Sequence, residues 1–449
     1  MSLYRSRLLE RQQTLGHPVR VGVVGAGQMG RGLITQISRM PGIEVSVVVA
    51  RSPRRAVAAY AAAGMSDVAS FDAQAHPSAS ELAKLVADGR PVVLCDLELL
   101  GELPLDMVIE ATGVPNTGAR VALTALLAGQ DVGLLNVECD VTVGYLLARL
   151  ADQLGRIYTV CRGDEPVEAK RLVDYARELD FEVIAAGKGK NNPLNPHATP
   201  DLLAAEAAAK NMNPKMLCEF VDGSKAMIEM AALANGTGLE LSKRGMHAPH
   251  TDVEGLAKVY RPIADGGILD RVGVIDYCTG PVAPGVFVVV RVEDETLHEE
   301  LTYLKLGDGP YFTLYRPYHL ASVEAPLSIG EAILDRTASL APVAWKAQVF
   351  GAAKAKIAVG EKIDGLGGNM VYGMAESTAA PDAATFVPLG LLPGAMVRRS
   401  IGVDELITWA DVDIDETSTI AILARLQTKL LAGEISEQEL PAAVAKALP

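Results

Sequence analysis

Residues 19–30 read VRVGVVGAGQMG, and this stretch decides the fold of the first third of the chain. An apolar run, Val19–Val24, passes directly into Gly25-Ala26-Gly27-Gln28-Met29-Gly30 and then into an amphipathic segment ending near Met40. That order predicts a strand, a tight turn and a helix. Gly25 permits the turn, Gly27 leaves the backbone bare for a pyrophosphate, and Gly30 lets the helix lie close on the strand. The helix N-terminus supplies N–H donors and a positive dipole. A purely structural glycine turn is the alternative. Outward from this stretch, a Pro-Gly break precedes IEVSVVVA (43–50), and further strands are expected at PLDMVIEAT (104–112) and DVGLLNVE (131–138). Ala-rich helical stretches separate them, so the spacing predicts an open parallel α/β sheet of the Rossmann type through residue 160.

Where such a sheet ends its second strand, an acidic residue would bind the ribose hydroxyls of NAD. Here the place is taken by Ala50-Arg51-Ser52-Pro53-Arg54-Arg55. With no carboxylate to repel a 2′-phosphate, Arg51, Ser52 and one of Arg54 or Arg55 favour NADP(H); a solvated basic helix start is the other reading. At the later strand ends, Glu110-Ala111-Thr112-Gly113 and Asn136-Val137-Glu138-Cys139-Asp140, Thr112 and Gly113 would let the cofactor pass and Asn136 and Glu138 would reach the nicotinamide or substrate; an ordinary strand end is the other reading of each.

The middle of the chain mixes strands with glycine- and proline-rich loops. After the run FEVIAA comes Gly187-Lys188-Gly189-Lys190-Asn191-Asn192-Pro193. Two lysines and two amides in what reads as a loop suit an anionic polyol, the ammoniums neutralising the anion and the amides binding hydroxyls. A flexible surface turn has the same composition. Asp222 reads as the cap of a helix carrying Lys225 and Glu229 four residues apart on one face, either a catalytic pair or a surface ion pair. In Tyr311–His319, Arg316 is placed to grip an anion and His319 to act as acid or base, although a lone histidine beside an apolar strand is usually structural. No HExxH, P-loop, GxSxG or clustered His/Cys pattern occurs, which removes several hydrolase classes.

Composition narrows the function further. The 449 residues suggest two or three domains; 41 Lys+Arg against 55 Asp+Glu give a formal charge of −14, unfavourable for nonspecific nucleic acid or anionic membrane binding. No run of eighteen apolar residues suggests a membrane span, and the charged N-terminal stretch reads as no signal peptide. Five widely spaced cysteines without a CxxC pair point to neither a disulfide framework nor structural zinc, so a cytoplasmic setting is expected. Past residue 341 the texture turns to short β-like runs with an internal echo, 353–364 against 397–408, read as two hairpin-like pieces. The last thirty residues read as two helices broken at Gly433.

Taken together, VGVVGAGQMG, NVECDV, GKGKNNPLN, NMNPKM, FVDGSKAMIEMAALANGTG and YFTLYRPYHL resemble a family distantly related to homoserine dehydrogenase that carries a C-terminal SAF domain. One branch is the 1-deoxy-D-xylulose 5-phosphate reductoisomerase-like (type II) enzymes of isoprenoid precursor synthesis; another is similar to D-apionate oxidoisomerase. The resemblance implies an NADP-binding Rossmann domain (1–160), a central α+β catalytic and dimerisation domain (161–340), and a small β-rich SAF domain with a helical tail (341–449). It also implies a homo-oligomer and a small anionic sugar-derived substrate. A reductoisomerase would use a divalent cation, Mg or Mn, with Glu138, Asp164 and Glu165 as candidate ligands by position alone. The homoserine dehydrogenase pattern Asn-Gly-Thr-Thr-Asn appears here only as Asn235-Gly236-Thr237-Gly238, which argues against homoserine as substrate. The expected function is NADP-dependent hydride transfer coupled to rearrangement of a hydroxyketone. The alternatives are a sugar-acid oxidoisomerase and a carbohydrate-binding protein without turnover.

Overall fold

A computed structural model describes residues 4–448. The chain forms two compact units, one built from 4–164, 320–341 and 418–448, the other from 165–319 and 342–417. The sequence placed boundaries at 160 and 340. The second of these is crossed differently: residues 342–417 group with the central segment, and the helical tail groups with the first unit.

The first unit contains a seven-stranded parallel sheet. Its strands are β1 (Val19–Val24), β2 (Ile43–Val49), β3 (Ala69–Ser70), β4 (Val92–Leu94), β5 (Met107–Glu110), β6 (Asp131–Leu134) and β7 (Tyr158–Val160), in the spatial order β3-β4-β2-β1-β5-β6-β7. The near-continuous Val/Ile runs seen in the sequence are what a sheet buried on both faces requires. Strand order reverses at β1, between β2 and β5, the place where parallel sheets of this kind open a crevice for ligands. The helix Gln28–Ile37 packs Leu33, Ile34 and Ile37, all fully buried, against Val21, Val23 and Val48. Each such side chain contributes on the order of 2 kcal/mol.

The tail joins this unit for a specific reason. From the helix Thr419–Leu431, the buried Gln427 amide accepts the Leu146 N–H (3.0 Å) and donates to the Thr142 carbonyl (3.1 Å), both within the helix Val137–Gln153. The second helix, Leu440–Ala447, follows the break at Gly433 as expected.

The second unit is built on a mixed five-stranded sheet. Its strands are β8 (Glu182–Lys190), β9 (Glu240–Leu241), β10 (Val274–Thr279), β11 (Val286–Arg291) and β12 (Tyr311–Arg316), ordered β12-β11-β8-β10-β9. β8, β10 and β9 run parallel, whereas β11 is antiparallel to both β8 and β12. One apolar cluster joins Ala185, Val274, Cys278 and Phe287, with Tyr260 stacked on Phe287 at 5.1 Å.

Residues 342–417 supply an antiparallel pair, β13 (Ala347–Ala353) with β14 (Val371–Ser377), and a short pair, β15 (Met396–Val397) with β16 (Val412–Asp413). The two echoing segments do not form separate hairpins. They bridge each other at Ile357 and Ile401, with backbone bonds of 3.0 Å in both directions. Asn235, fully buried, ties this region to the helix Ser224–Thr237 by accepting the Lys346 and Ala347 N–H groups (2.8 and 2.9 Å) and donating to the Ala347 carbonyl (3.0 Å). No helix among the described residues is long and apolar enough to cross a membrane.

Candidate active site

In the first unit the glycine turn has the geometry its sequence calls for. Gly25 sits at φ +106°, and a Cβ there would lie 2.9 Å from the Ala111 carbonyl oxygen; a Cβ on Gly30 would lie 2.0 Å from the Gly25 carbonyl oxygen. Both positions therefore demand glycine. A Cβ on Gly27 would meet nothing within 4 Å, so open space lies in front of the turn. Gly27 is also the N-cap of the helix Gln28–Ile37 and no side chain caps it, leaving the first-turn N–H groups available to an anion. Ala26, Gln28 and Met29 complete the turn. Arg51 and Arg54 are exposed beyond the end of β2, flanking Ser52, the N-cap of the helix Pro53–Ala62.

The neighbouring strand ends differ from expectation. Thr112 and Gly113 (φ +68°) follow β5, and Gly113 faces open space. Asn136 does not reach outward: it is fully buried, accepts the Cys139 N–H (3.1 Å) as helix cap, and donates to the Val114 carbonyl (3.0 Å). Glu138 lies in the first turn of the helix Val137–Gln153 and is buried, so it is a helix residue and not a strand end. Glu110 opens the strand-end segment expected at this edge, although the sequence suggests no role for it. It is fully buried at the end of β5 and accepts the Thr112 N–H (2.7 Å), while its Oε2 has no hydrogen-bond partner among the described residues. Burial pushes its pKa up to about 7, against the pull of the Thr112 and Asn136 donors.

In the second unit the predicted Lys-rich loop is in fact strand. Lys188 and Lys190 belong to β8 and are buried, and only Asn191 and Asn192 lie in the loop beyond it. Glycine explains the difference. Cβ atoms at Gly187 and Gly189 would lie 1.7 Å from the Asp276 carbonyl oxygen and 2.2 Å from the Ala283 nitrogen, so these glycines admit close neighbours and are not hinges.

Lys188 Nζ reaches Glu165 at 2.7 Å, at the start of the helix Glu165–Glu178, and makes a shorter contact with Glu229, on Ser224–Thr237. Burial alone would lower the Lys188 pKa, but the two carboxylates together hold it above its ordinary value, so the ammonium persists. Lys225 stands 3.9 Å from Glu229. The pair is not on a solvated face, because Glu229 is almost wholly buried and Lys188 is its nearer cation.

Lys190 is different in kind. Its Nζ donates to the carbonyls of Asn192 (2.6 Å) and Phe220 (2.7 Å) and has no carboxylate within ion-pair distance among the described residues. Burial, then Lys188, lowers its pKa to about 8, while Asp222 and Glu229 oppose this from farther off.

His319 joins the cluster. Its Nδ1 faces the Pro284 carbonyl (2.8 Å), and its Nε2 lies 3.4 Å from Glu165. Arg316 does not join it. Its guanidinium is bound to the buried Glu168 and stacks over Tyr318 at 4.6 Å, so it holds a structural carboxylate and not a substrate anion.

Of the carboxylates considered for a metal, Asp164 and Glu165 lie with Glu229 in one group whose ligand atoms are all within 4.8 Å of one another, and Glu138 is not among them. Glu165 and Glu229 already flank an ammonium, and a divalent cation between them would meet Lys188 at hydrogen-bond distance. A divalent cation held by this group would have to displace the Lys188 ammonium, which already neutralises Glu165 and Glu229.

Residues 163–325, which include every one of the second-unit groups just described, match the family described as the catalytic domain of oxidoreductase DRL. That stretch is thus similar to an oxidoreductase catalytic domain. No curated protein matches the chain. Among solved structures, myo-inositol dehydrogenase from Lactobacillus casei, in complex with NAD(H) and myo-inositol, is 17% identical over 68% of this chain and 75% of its own, with a TM-score of 0.37. The 1-deoxy-D-xylulose 5-phosphate reductoisomerase from Zymomonas mobilis, in complex with NADPH, is 19% identical over 47% of this chain and 57% of its own, with a TM-score of 0.33. Levoglucosan dehydrogenase, in complex with NADH and levoglucosan, is 13% identical over 62% and 65%, again at 0.33. Likenesses this partial say nothing of this chain's substrate.

Proposed function

We propose that the protein is an NADP-dependent oxidoreductase that moves hydride to or from a small, anionic, sugar-derived hydroxyketone and couples that transfer to rearrangement of the carbon skeleton. The observation that carries this reading is Lys190: a buried ammonium held only by two carbonyls, beside a second ammonium already neutralised by two carboxylates. Burying an uncompensated cation is costly unless a ligand supplies the opposite charge, so Lys190 takes the phosphate or carboxylate of the substrate. Lys188, kept charged by Glu165 and Glu229, donates to the carbonyl oxygen, where negative charge develops as hydride arrives. Asn191 and Asn192 bind hydroxyls, and Lys225 adds a second, more distant cation beside Glu229. The glycine turn holds the pyrophosphate, and Arg51, Ser52 and Arg54 hold the 2′-phosphate.

A steady-state NADPH oxidation assay across phosphorylated ketoses and branched aldonates tests this reading. Turnover of a phosphorylated ketose with a rearranged product supports the reductoisomerase form. Reduction of NADP by a branched aldonate moves the reading to the oxidoisomerase. Carbohydrate binding with no turnover of any member overturns it in favour of a binding protein.

A further inference from the structure

One histidine outside this cluster is held as an oriented proton carrier. Asp276, fully buried in β10, accepts five hydrogen bonds. They come from the backbone N–H groups of His247 (3.0 Å), Ala248 (3.1 Å) and Tyr277 (2.7 Å), the Ser242 hydroxyl (2.6 Å) and the ring Nδ1 of His247 (2.9 Å). Four of these donors satisfy the carboxylate without the imidazole, so the ring contact serves the ring. With three backbone N–H groups and a hydroxyl aimed at it, the carboxylate is the acceptor in the ring contact as well. Nδ1 therefore carries the proton and the lone pair of the neutral ring lies on Nε2. No hydrogen-bond partner for Nε2 occurs among the described residues, and the side chain is 22% exposed.

The backbone adds an independent sign. Met246 (φ +62°) and Ala248 (φ +50°) flank His247 in the left-handed region, which neither residue type favours. Strain of this kind, about 1–3 kcal/mol per residue, persists where a side chain must be aimed, and here it lies on both sides of one imidazole. The five hydrogen bonds to Asp276 are what hold it.

The place in the fold fits chemistry as well. The segment follows the carboxyl end of β9, and its continuation closes on the end of β10, where the Thr279 N–H donates to Pro249 and the Thr251 N–H to Thr279, both 2.9 Å. Thr279 is in register with Lys190 on the parallel β8. The loop of His247 thus closes on the carboxyl end of β10, the strand beside the one that carries Lys190.

We propose that His247, aimed by Asp276, is the acid–base group of this site, taking the proton of a substrate hydroxyl on Nε2 and returning it in the reverse direction. This rests on the oxidoreductase reading above. In oxidation the hydroxyl O–H bond breaks and its proton goes to Nε2. The carbinol C–H electron pair leaves as hydride to the nicotinamide of NADP, reducing it, and the C–O bond becomes C=O. The buried Asp276 carboxylate offsets the imidazolium so formed, which makes Asp276 a positioning residue.

The test has two arms. With the panel member the native enzyme turns over, His247→Gln is expected to lower kcat by about 100-fold or more, the scale of a positioned acid or base, while NADPH affinity stays within about twofold. A kcat within about threefold of the native value overturns the proposal. The second arm needs neither turnover nor a variant that folds: diethyl pyrocarbonate is added to the native protein and labelled histidines are read by peptide mass. His247 is expected to be labelled, more slowly than the exposed His76 because its side chain is only 22% exposed. No labelling of His247 under conditions that label His76 fully means Nε2 is not free, and this also overturns the proposal. Failure of every panel substrate in the first arm counts against the oxidoreductase reading alone, and the labelling arm still decides His247.

Discussion

Lys190 gives the sharpest prediction, because its charge state is set within reach of ordinary assays. Its ammonium has two carbonyl acceptors and a pKa near 8 in place of the usual 10.5. An anion anchored by this group is held only while the lysine is protonated. In the free enzyme, kcat/KM for the anionic substrate should therefore fall about tenfold per pH unit above about 8, or about 1.4 kcal/mol per unit. A buried hydrogen bond to a charged group is worth about 1.5–3 kcal/mol, so Lys190→Met is expected to lower kcat/KM at pH 7 by roughly 10- to 100-fold and to abolish the alkaline fall. Lys190→Arg, charged at every working pH, should lose the alkaline fall while keeping part of the affinity.

Stability follows the opposite sign. The folded-state pKa lies below the unfolded one, so the unfolded chain binds more protons between pH 8 and 10.5, and stability attributable to this group rises as pH rises through that window. The fall from 10.5 to about 8 corresponds to about 2 kcal/mol once residual solvent is allowed for. Lys190→Met should consequently be no less stable than the native protein at pH 7 by urea denaturation. A flat native kcat/KM from pH 7 to 10, or a Lys190→Met enzyme equal to native at pH 7, would refute the assignment of Lys190 as anion anchor.

Three further outcomes are expected. Arg51→Asp should shift the NADPH/NADH preference toward NADH by at least tenfold, about 1.4 kcal/mol, in a fluorescence titration; unchanged preference would show that the 2′-phosphate is held elsewhere. Arg316→Ala should destabilise the protein by about 3 kcal/mol while leaving KM nearly unchanged, because it strips the buried Glu168 of its nearest cation and leaves Arg171 at 3.8 Å; a raised KM at native stability would return Arg316 to the substrate. Glu110, with its pKa raised from 4.5 to about 7, binds its proton more tightly in the folded chain, so its contribution to stability is lost as pH rises through that window, by up to about 3 kcal/mol. Glu110→Gln should gain on the native protein between pH 5 and pH 8 in urea melts, and equal pH profiles would contradict the burial argument.

The parts legible in the sequence were those governed by local sterics and by periodicity. Gly25 and Gly30 are fixed by contacts within a dozen residues or against the adjacent strand, and the Val/Ile runs admit only a doubly covered sheet. Lys188 and Lys190 were found as a pair but assigned to a loop, because Gly-Lys-Gly-Lys reads locally as a turn. Only the close approach of β10 and of Ala283 makes it strand. Lys225 was given Glu229 as its partner from the spacing of four, whereas the nearer cation, Lys188, comes from 41 residues away. Arg316 looked free since Glu168 lies 148 residues earlier. His247 drew no notice because Asp276 is 29 residues on and nothing in the intervening chain marks the pair. Pairing across such distances leaves no periodic trace, and at this site it decides which ions remain available.

The central claim is hydride transfer between NADP and an anionic sugar, and isotope transfer tests it most directly. The protein would be incubated with NADPH deuterated at C4, in turn on each face, and with each phosphorylated ketose, and the sugar recovered for mass analysis. The account predicts that one deuterated face delivers a single deuterium to one sugar product, and that Lys190→Met slows this delivery by roughly 10-fold or more. No deuterium in any sugar, with NADPH bound and the protein folded, would contradict it.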